Sequence, residues 1–444
     1  MSFIQPHISH GSQLLDAWAS SYRKTFALIF TVNLAVFVSL VAKAPGGRPN
    51  QRDIGTAASA NILTAILFRQ ENFLNVIYEV VSCAPHSWPI GIRKRLAKVF
   101  HYGGVHSGCG VAAVVWYIMY TIESTLLLIE DKHTHTDIIA NMACSWILVT
   151  MFCIILAGAH PWFRRNYHDY FEAFHRFAGW TALLTFWIHN VFSAAITARE
   201  THSTIGMALI TSPSFWTILL STSCTLLSWS RLRIRTVFPE KLSDHATRLH
   251  FRYKGMQPFY GVKLSSRPLL EWHAFATIPT IDPVTHTPTG FSVVVSNAGD
   301  WTSAQIAASG ERKLWIRGSP LHGLLYTSRL FKNIVLVATG SGIGPCLSLL
   351  HANVTPTRIY WSTRDPLEHY GQEIVDAVKG ADPKAIVWNT STQGRGTIVQ
   401  SVYELVQESG AEAVFVISNP KVTDLVVFGM QSRGIPAYGA IFDS

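Results

Sequence analysis

Up to Trp229 the chain alternates long apolar runs with short polar loops, and after Arg231 it does not. A run of ~20 mostly apolar residues is the length that crosses a bilayer as a helix. Six runs qualify, at about 25–42, 55–80, 102–122, 138–158, 172–198 and 207–229. Arg69, Gln70, Glu71 and Asn72 interrupt the second, which marks it as shorter or as partly packed against other helices. The first run ends in "VAKA", a small-residue pattern like a cleavage site, but further runs follow, so a signal anchor is the better reading. The expectation is a multi-pass α-helical membrane domain of six helices over residues 1–230. At 444 residues and a mean hydropathy of +0.22, the chain has room for more than this domain.

The net charge is +9, yet the basic residues cluster beside the apolar runs instead of forming one patch, which argues against nucleic acid and for membrane lipid. Loop lysines and arginines set the orientation. With the N-terminus in the cytosol, Arg23, Lys24, Arg93, Lys94, Arg95, Lys98, Arg164, Arg165, Arg231, Arg233 and Arg235 lie inside. Lys43, Arg48, Arg52, Lys132 and Arg199 lie outside. Eleven against five puts both termini in the cytosol, in an integral protein of the plasma membrane or an endomembrane. The six cysteines include no C-x-x-C pair and read as reduced, buried small hydrophobes.

Histidines at membrane depth need partners. His175 and His189 stand fourteen residues apart in the fifth run, ~21 Å along one helix face. The third run opens with His101 and His106, which point to different sides. His106 is followed four residues on by Gly110, and His175 by Gly179. A glycine one turn from a histidine leaves a flat gap, and two such helices would clamp a porphyrin between His106 and His175. The alternative is a pair of buried histidines bonded to polar neighbours, with glycines for close helix packing. Opposite His189 the third run supplies Tyr120, so a second haem there lacks a second histidine. In the loop "EDKHTHTD", Asp131, His133, His135 and Asp137 read as a solvated loop, with a metal site as the alternative.

From about 232 to 325 short alternating runs ("ATRLHFRY", "FYGVKLSS", "HAFATIP", "FSVVVSN", "KLWIRG") predict a small antiparallel barrel. From about 332 the pattern becomes strand, glycine turn, helix: "NIVLVATGSGIGPCLSLL", then "TRIYWST", "KAIVWNT" and "AVFVISN". That is a βαβ, parallel-sheet pattern. Gly340, Gly342 and Gly344 let the backbone approach a phosphate at a helix N-terminus. Arg364, after the next strand, stands where a ribose 2′-phosphate would be met, which favours NADPH over NADH; the alternative is a surface arginine. The expected domains are 1–230, 231–328 and 329–444.

Several segments together resemble the ferric reductase and NADPH oxidase superfamily, and within it the fungal TmpA-like membrane flavoproteins. They are "RRNYHDYFEAFHR", "EWHAFATIP", "GDWT", "GSPLHG", "ATGSGIGP" and the ending "AYGAIFDS". The resemblance covers nearly all of residues 20–444. It implies a six-helix domain followed by a ferredoxin-reductase-like module, a FAD barrel and a NADP domain. It implies that His273, Phe275 and Thr277 contact the flavin, with Trp301, Thr302, Gly318 and Gly323 completing its site. Gly340, Gly342, Gly344, Pro345 and Arg364 would hold NADPH, with Pro420 beside the nicotinamide. The haem b that receives the electrons would be the one the spacing places at His106 and His175; His189 would either ligate a second haem or bond a propionate, a substrate or Tyr120. The implied activity passes electrons from cytosolic NADPH through FAD to membrane haem, then to ferric iron, oxygen or a quinone-like molecule. A signalling or metabolite-modifying flavoprotein without the full relay is the alternative. Three positions depart from the pattern. Ala274 and Ala276 replace proline and threonine in the flavin motif, Ser418-Asn419-Pro420 replaces Cys-Gly-Pro, and the third run lacks a second histidine.

Overall fold

The computed structural model describes residues 21–130, 135–253, 255–282, 284–285 and 287–440. Asp131 and His133 of the polar loop, and the last four residues of the "AYGAIFDS" ending, lie outside the described residues.

The first half is helical. Its helices are α1 (Ser21–Lys43), α2 (Gln51–Leu67), α3 (Glu71–Ser82), α4 (Ile90–Leu96) and α5 (Gly103–Glu130). They continue as α6 (Thr136–Gly158), α7 (Pro161–Asn166), α8 (His168–Glu200), α9 (Ile205–Ile210) and α10 (Pro213–Ser230). α5 packs on α1 and α2, and α6 on α8. Gly104 and Gly108 of α5 admit α1: a Cβ at Gly104 would lie 2.4 Å from the Tyr22 carbonyl oxygen. Tyr117, Tyr120, Leu148, Phe152 and Phe186 form the core between α5, α6 and α8.

The expected second span is two helices. Gln70 stops the first and caps the second, its Oε1 accepting from the Phe73 N–H at 2.8 Å. α3 then leaves the bundle and packs against the sheet module. The expected sixth span is also divided, with Pro213 opening the longer piece, where its missing N–H costs nothing. By length and composition, four described helical stretches could cross a membrane: Ser21–Lys43, Ile90–Glu130, Thr136–Gly158 and His168–Glu200.

A seven-stranded antiparallel sheet follows. Its strands are β1 (Arg233–Lys241), β2 (Ala246–Phe251), β3 (Tyr260–Ser265), β4 (His273–Ala276), β5 (Ile278–Ile281), β6 (Pro288–Ser296) and β7 (Arg312–His322). The spatial order is β4-β3-β7-β1-β2-β6-β5, and contact of β4 with β6 curls the sheet toward closure. Helix α11 (Asp300–Ala307) lies against β6. Leu249, Leu264, Phe291, Val293 and Val295 fill the interior, the alternate positions of their strands.

The last module alternates strand and helix: β8 (Ile334–Thr339), α12 (Ile343–Ala352), β9 (Thr357–Thr363), α13 (Pro366–Ala381), β10 (Ile386–Asn389) and α14 (Thr390–Gln393), then α15 (Ile398–Ser409), β11 (Ala413–Ile417), α16 (Pro420–Gln431) and β12 (Ala437–Gly439). The five strands are parallel, in the order β10-β9-β8-β11-β12. Two cores, one on each face, sandwich this sheet, as a fully buried parallel sheet requires.

The halves are locked together by side chains. Arg93 of α4, 3% exposed, donates to the Leu330 carbonyl at 2.8 Å and to both oxygens of Glu412 at 2.7 and 3.0 Å. The Tyr438 hydroxyl donates to the Lys94 carbonyl at 3.0 Å.

Candidate functional site

In the parallel sheet the chain steps outward from β8 through β9 to β10, then returns to the other side of β8 as β11. Loops at the carboxyl ends of β8 and β11 therefore diverge, and such a switch point is where open α/β sheets bind ligands. Both loops carry expected site residues. Gly340 has φ of +51°, and its carbonyl accepts from the Trp361 indole at 3.0 Å. A Cβ on Gly342 would lie 2.1 Å from the Ile417 carbonyl oxygen, and one on Gly344 would lie 3.0 Å from Val294 of the antiparallel sheet. Gly342 thus brings the two loops together, and Gly344 brings the two sheets together. Pro345 sits in the first turn of α12. Across the crevice, Ser418 contacts Thr339 hydroxyl to hydroxyl. Asn419 caps α16 by accepting from the Val422 N–H at 3.1 Å, with Pro420 at the first helical position. The Ser-Asn-Pro sequence is therefore a capped helix start.

Arg364 is exposed at the end of β9. Beside it, Asp365 accepts from Asn389 Nδ2 at 3.0 Å and Ser391 Oγ at 2.6 Å, and these bonds hold its carboxyl below the usual range. The carboxylate is already used internally, while the guanidinium stands open to solvent.

The expected flavin residues divide into two groups. Phe275 and Gly323 line a cavity of about 530 Å³ where the helices, the antiparallel sheet and the C-terminal module meet; Arg69, Tyr78 and His101 close it from the helical side. Gly318 lines an adjoining cleft of about 600 Å³ that also holds Arg231, Arg233, Arg235 and Arg317. Tyr260, Val262 and Ser319 line both spaces, so they are contiguous. The Nε atoms of Arg235 and Arg317 are buried without a hydrogen-bond partner. In sequence Arg231, Arg233 and Arg235 follow the last apolar run and read as loop charge, while Arg317 lies inside the expected strand "KLWIRG", so nothing local marks any of them as a ligand contact.

The other expected flavin residues make internal contacts. Thr277 is fully buried and donates to the Tyr260 carbonyl at 2.8 Å. Thr302 caps α11, its Oγ1 accepting from the Ala298 and Gly299 N–H groups at 2.8 and 3.0 Å. Trp301 stacks on His273, with centroids 4.3 Å apart, and tilts over Phe275 at 5.7 Å. Burial holds the His273 imidazole below its ordinary pKa, partly offset by Glu271, whose carboxylate is 3.7 Å away. Gly318 has φ of +76°, and a Cβ there would lie 2.6 Å from Glu71 Oε1, so this glycine admits α3.

In the helical half, His106 and His175 face each other with ring centroids 6.1 Å apart. His106 Nδ1 is 2.8 Å from the Ala65 carbonyl, which leaves Nε2 free; His175 Nδ1 is buried without a partner. Both line an apolar cavity of about 920 Å³ with Gly110 and Gly179, and nothing stands within 4 Å of a Cβ on either glycine. His101 is elsewhere, beside Phe100 in the three-way junction. His189 has Ser145 Oγ 3.3 Å from its Nε2 and the Tyr120 ring edge-on at 5.1 Å. His189, the expected ligand of a second haem, therefore already faces a hydroxyl through its Nε2.

Residues 324–444 match the family described as "Adenylate-forming reductase 03009, C-terminal domain". Adenylate-forming reductases 03009 and 06235 of Coprinopsis cinerea are each 38% identical to the chain over 425 residues, 96% and 95% of its length. The chain spans about 40% of the length of these relatives. Among solved structures, a ferredoxin NADP+ reductase from Neisseria gonorrhoeae with bound FAD and NADP aligns over 48% of this chain and 99% of its own, at 12% identity and a TM-score of 0.38. The expected transfer of electrons from NADPH through FAD and membrane haem to ferric iron, oxygen or a quinone-like molecule is overturned by these relatives, as is its TmpA-like alternative. Over nearly its whole length, the chain is similar to a part of two proteins named for adenylate formation and reduction.

Proposed function

We propose that this chain is a flavin- and NADPH-dependent oxidoreductase, the reducing portion of an activity in the class that its relatives' name describes. The observation that carries this reading is the Gly340–Gly344 turn at the switch point, which leads from the carboxyl end of β8 into the N-terminus of α12 beside the β11 loop. A flavin dinucleotide supplies the exchange between hydride and single-electron chemistry when bound. The junction cavity fits its ring, with Phe275 and Gly323 in the wall, and the adjoining cleft, lined by Arg231, Arg233, Arg235 and Arg317, fits its diphosphate. Arg364 would meet a 2′-phosphate, because Asp365 is already satisfied and does not compete for a ribose hydroxyl. Pro420 opens the helix facing the glycine turn, and the Thr339–Ser418 contact fixes the spacing of the two loops. The test is to load the purified full chain with FAD and add NADPH without oxygen. Bleaching of the flavin absorbance is expected; failure to retain flavin, or NADH acting as well as NADPH, sinks the reading.

A second group fits the helical half. Two imidazoles on one iron, with metal–nitrogen bonds of about 2 Å, hold their ring centroids roughly 6 Å apart. His106 and His175 stand at 6.1 Å, beside two open glycines in an apolar cavity. This supports haem binding at that pair. The expected result is a Soret band in the purified chain that disappears in His175→Ala while flavin is retained; a band that survives the substitution rejects the pair as ligands.

We also propose that the helical half sits in a bilayer. Leu28, Val38, Ile129, Trp146, Leu184 and Leu220 all face outward, each at least 52% exposed. Extraction that requires detergent, not salt or alkali, is the expected behaviour.

A further inference from the structure

Residues 266–272 join β3 to β4 in a tight turn that carries two exposed leucines, Leu269 at 51% and Leu270 at 46%. Among the described residues after 230, no other two neighbours in sequence are both large, apolar and exposed. Apolar side chains scattered singly over a surface need no explanation, but contiguous ones mark contact with a partner or a membrane. The turn is braced from within. The Arg267 carbonyl accepts from the Leu270 and Glu271 N–H groups at 2.9 and 3.1 Å, and the Pro268 carbonyl accepts from the Trp272 indole at 2.8 Å. The Leu269 carbonyl accepts from Arg176 Nη1 of α8 at 2.5 Å. Three consecutive carbonyls thus have donors within the protein, as they must where lipid replaces water.

Two contacts fix the level of the turn against the helices. Arg176 stands ~12 Å along α8 from its start. The Trp272 ring meets Trp229, in the last turn of α10, at 6.4 Å, and the Arg317 guanidinium lies 4.7 Å from the centroid of each ring. The turn is therefore level with the ends of α8 and α10 that adjoin the sheets. There both helices present apolar side chains outward: Tyr170, Phe174 and Phe177 on α8, Leu226 and Leu227 on α10. The same face of α8 continues through exposed Leu184 and Ile188, so one apolar stripe runs from the level of the turn along the helix. Aromatic side chains at such an end suit a membrane–water boundary. The ions beside the turn are matched, Arg267 with Glu271 at 3.5 Å and Arg176 with Glu172 at 3.0 Å, and Asp169 is exposed nearby, so nothing there calls for an anionic headgroup.

We propose that Leu269 and Leu270 dip into the boundary between the headgroups and acyl chains of a neutral phospholipid leaflet, which gives the antiparallel sheet its own hold on the membrane. The inference rests on the helical half lying in a bilayer and is independent of the flavin and nucleotide reading. β4 begins directly after the turn with His273, so contact with the leaflet would also steady the strand that carries Phe275.

The test places a bimane fluorophore on single cysteines of the full chain in phosphatidylcholine nanodiscs. Cys83, Cys153 and Cys224 are first changed to Ser; the other three cysteines are buried. The labelled variants are Leu270→Cys in the turn, Leu226→Cys at the same level of α10, and Leu367→Cys on α13, all exposed positions. Part of the lipid carries a nitroxide just below its headgroup. At least twofold quenching by this lipid is expected for Leu226→Cys and Leu270→Cys and none for Leu367→Cys, whereas iodide in the water should quench Leu367→Cys alone. Lipid quenching of Leu226→Cys without Leu270→Cys overturns the proposal and leaves the bilayer reading standing. Quenching of neither removes the bilayer reading and the proposal with it. Protection of Leu270→Cys from both quenchers also overturns it, because protein, such as a second copy of the chain, then covers the turn. Where Leu270→Cys does not fold, Leu269→Cys carries the same measurement.

Discussion

The space where a Gly342 Cβ would stand lies 2.1 Å from a carbonyl oxygen, so this position tolerates no side chain. Gly342→Ala forces the β8 and β11 loops apart and should cost about 3 kcal/mol, as overpacking at a rigid backbone does. Chemical denaturation of the full chain measures it. Arg364 calls for a different assay, since it packs against nothing that folding needs. Arg364→Ala should raise KM for NADPH about tenfold, or about 1.4 kcal/mol, and leave KM for NADH unchanged. Residue identities were readable where backbone geometry dictates them, as at Gly340 and Gly342. They were misleading where a motif letter serves an internal bond. Thr277 and Thr302 look like ligand contacts in sequence but spend their hydroxyls on the Tyr260 carbonyl and the start of α11. The Tyr260 partner of Thr277 is 17 residues away and leaves no local pattern, whereas the Thr302 bonds to Ala298 and Gly299 are the local signature of a helix start.

At the level of elements, periodicity revealed most strands and most long helices, and failed where two demands fell on one segment. β1 was missed because its alternate residues, Arg233 and Arg235, read as charges flanking a membrane run. α3 was merged with α2 because both are apolar enough, although Gln70 and Glu71 mark the break. Short α4 carries the clearest electrostatic prediction. Glu412 is held below the ordinary carboxylate range, first by its hydrogen bonds from Arg93. A depressed folded-state value means the pair's contribution is fully present above the unfolded value of about 4.3 and is lost progressively as pH falls from there through the folded value. Thermal midpoints should drop more steeply below about pH 4.5 in the wild type than in Glu412→Gln, whose profile should be flatter there and lower at neutral pH.

For the whole molecule, the helical, antiparallel and parallel portions were legible from composition shifts alone, because each portion buries a different pattern of apolar residues. Their mutual contacts were not legible. The junction cavity takes its walls from all three, and Gly323 stands more than two hundred positions from Arg69 and His101. If that cavity holds the flavin ring, residues 231–444 expressed alone should keep their affinity for 2′,5′-ADP. They should bind FAD at least tenfold more weakly than the full chain does, and parallel titrations of the two proteins measure both.

The bond pattern between α3 and the bulged stretch of β7 has a consequence for inheritance. Asn75 donates to the Pro320 carbonyl at 2.8 Å and accepts from the His322 N–H at 2.9 Å, while Ser319 donates to Asn72 at 2.7 Å. Both Asn75 bonds are directed at the backbone of β7, and a foreign helix would have to reproduce them along with the Asn72 contact. A recombination break placed at the obvious boundary near residue 230 separates partners that belong together. Chimaeras that carry residues 71–82 along with the sheets should survive, and those that exchange everything before residue 230 should not. Over generations, the helices and the sheets would travel as one heritable block.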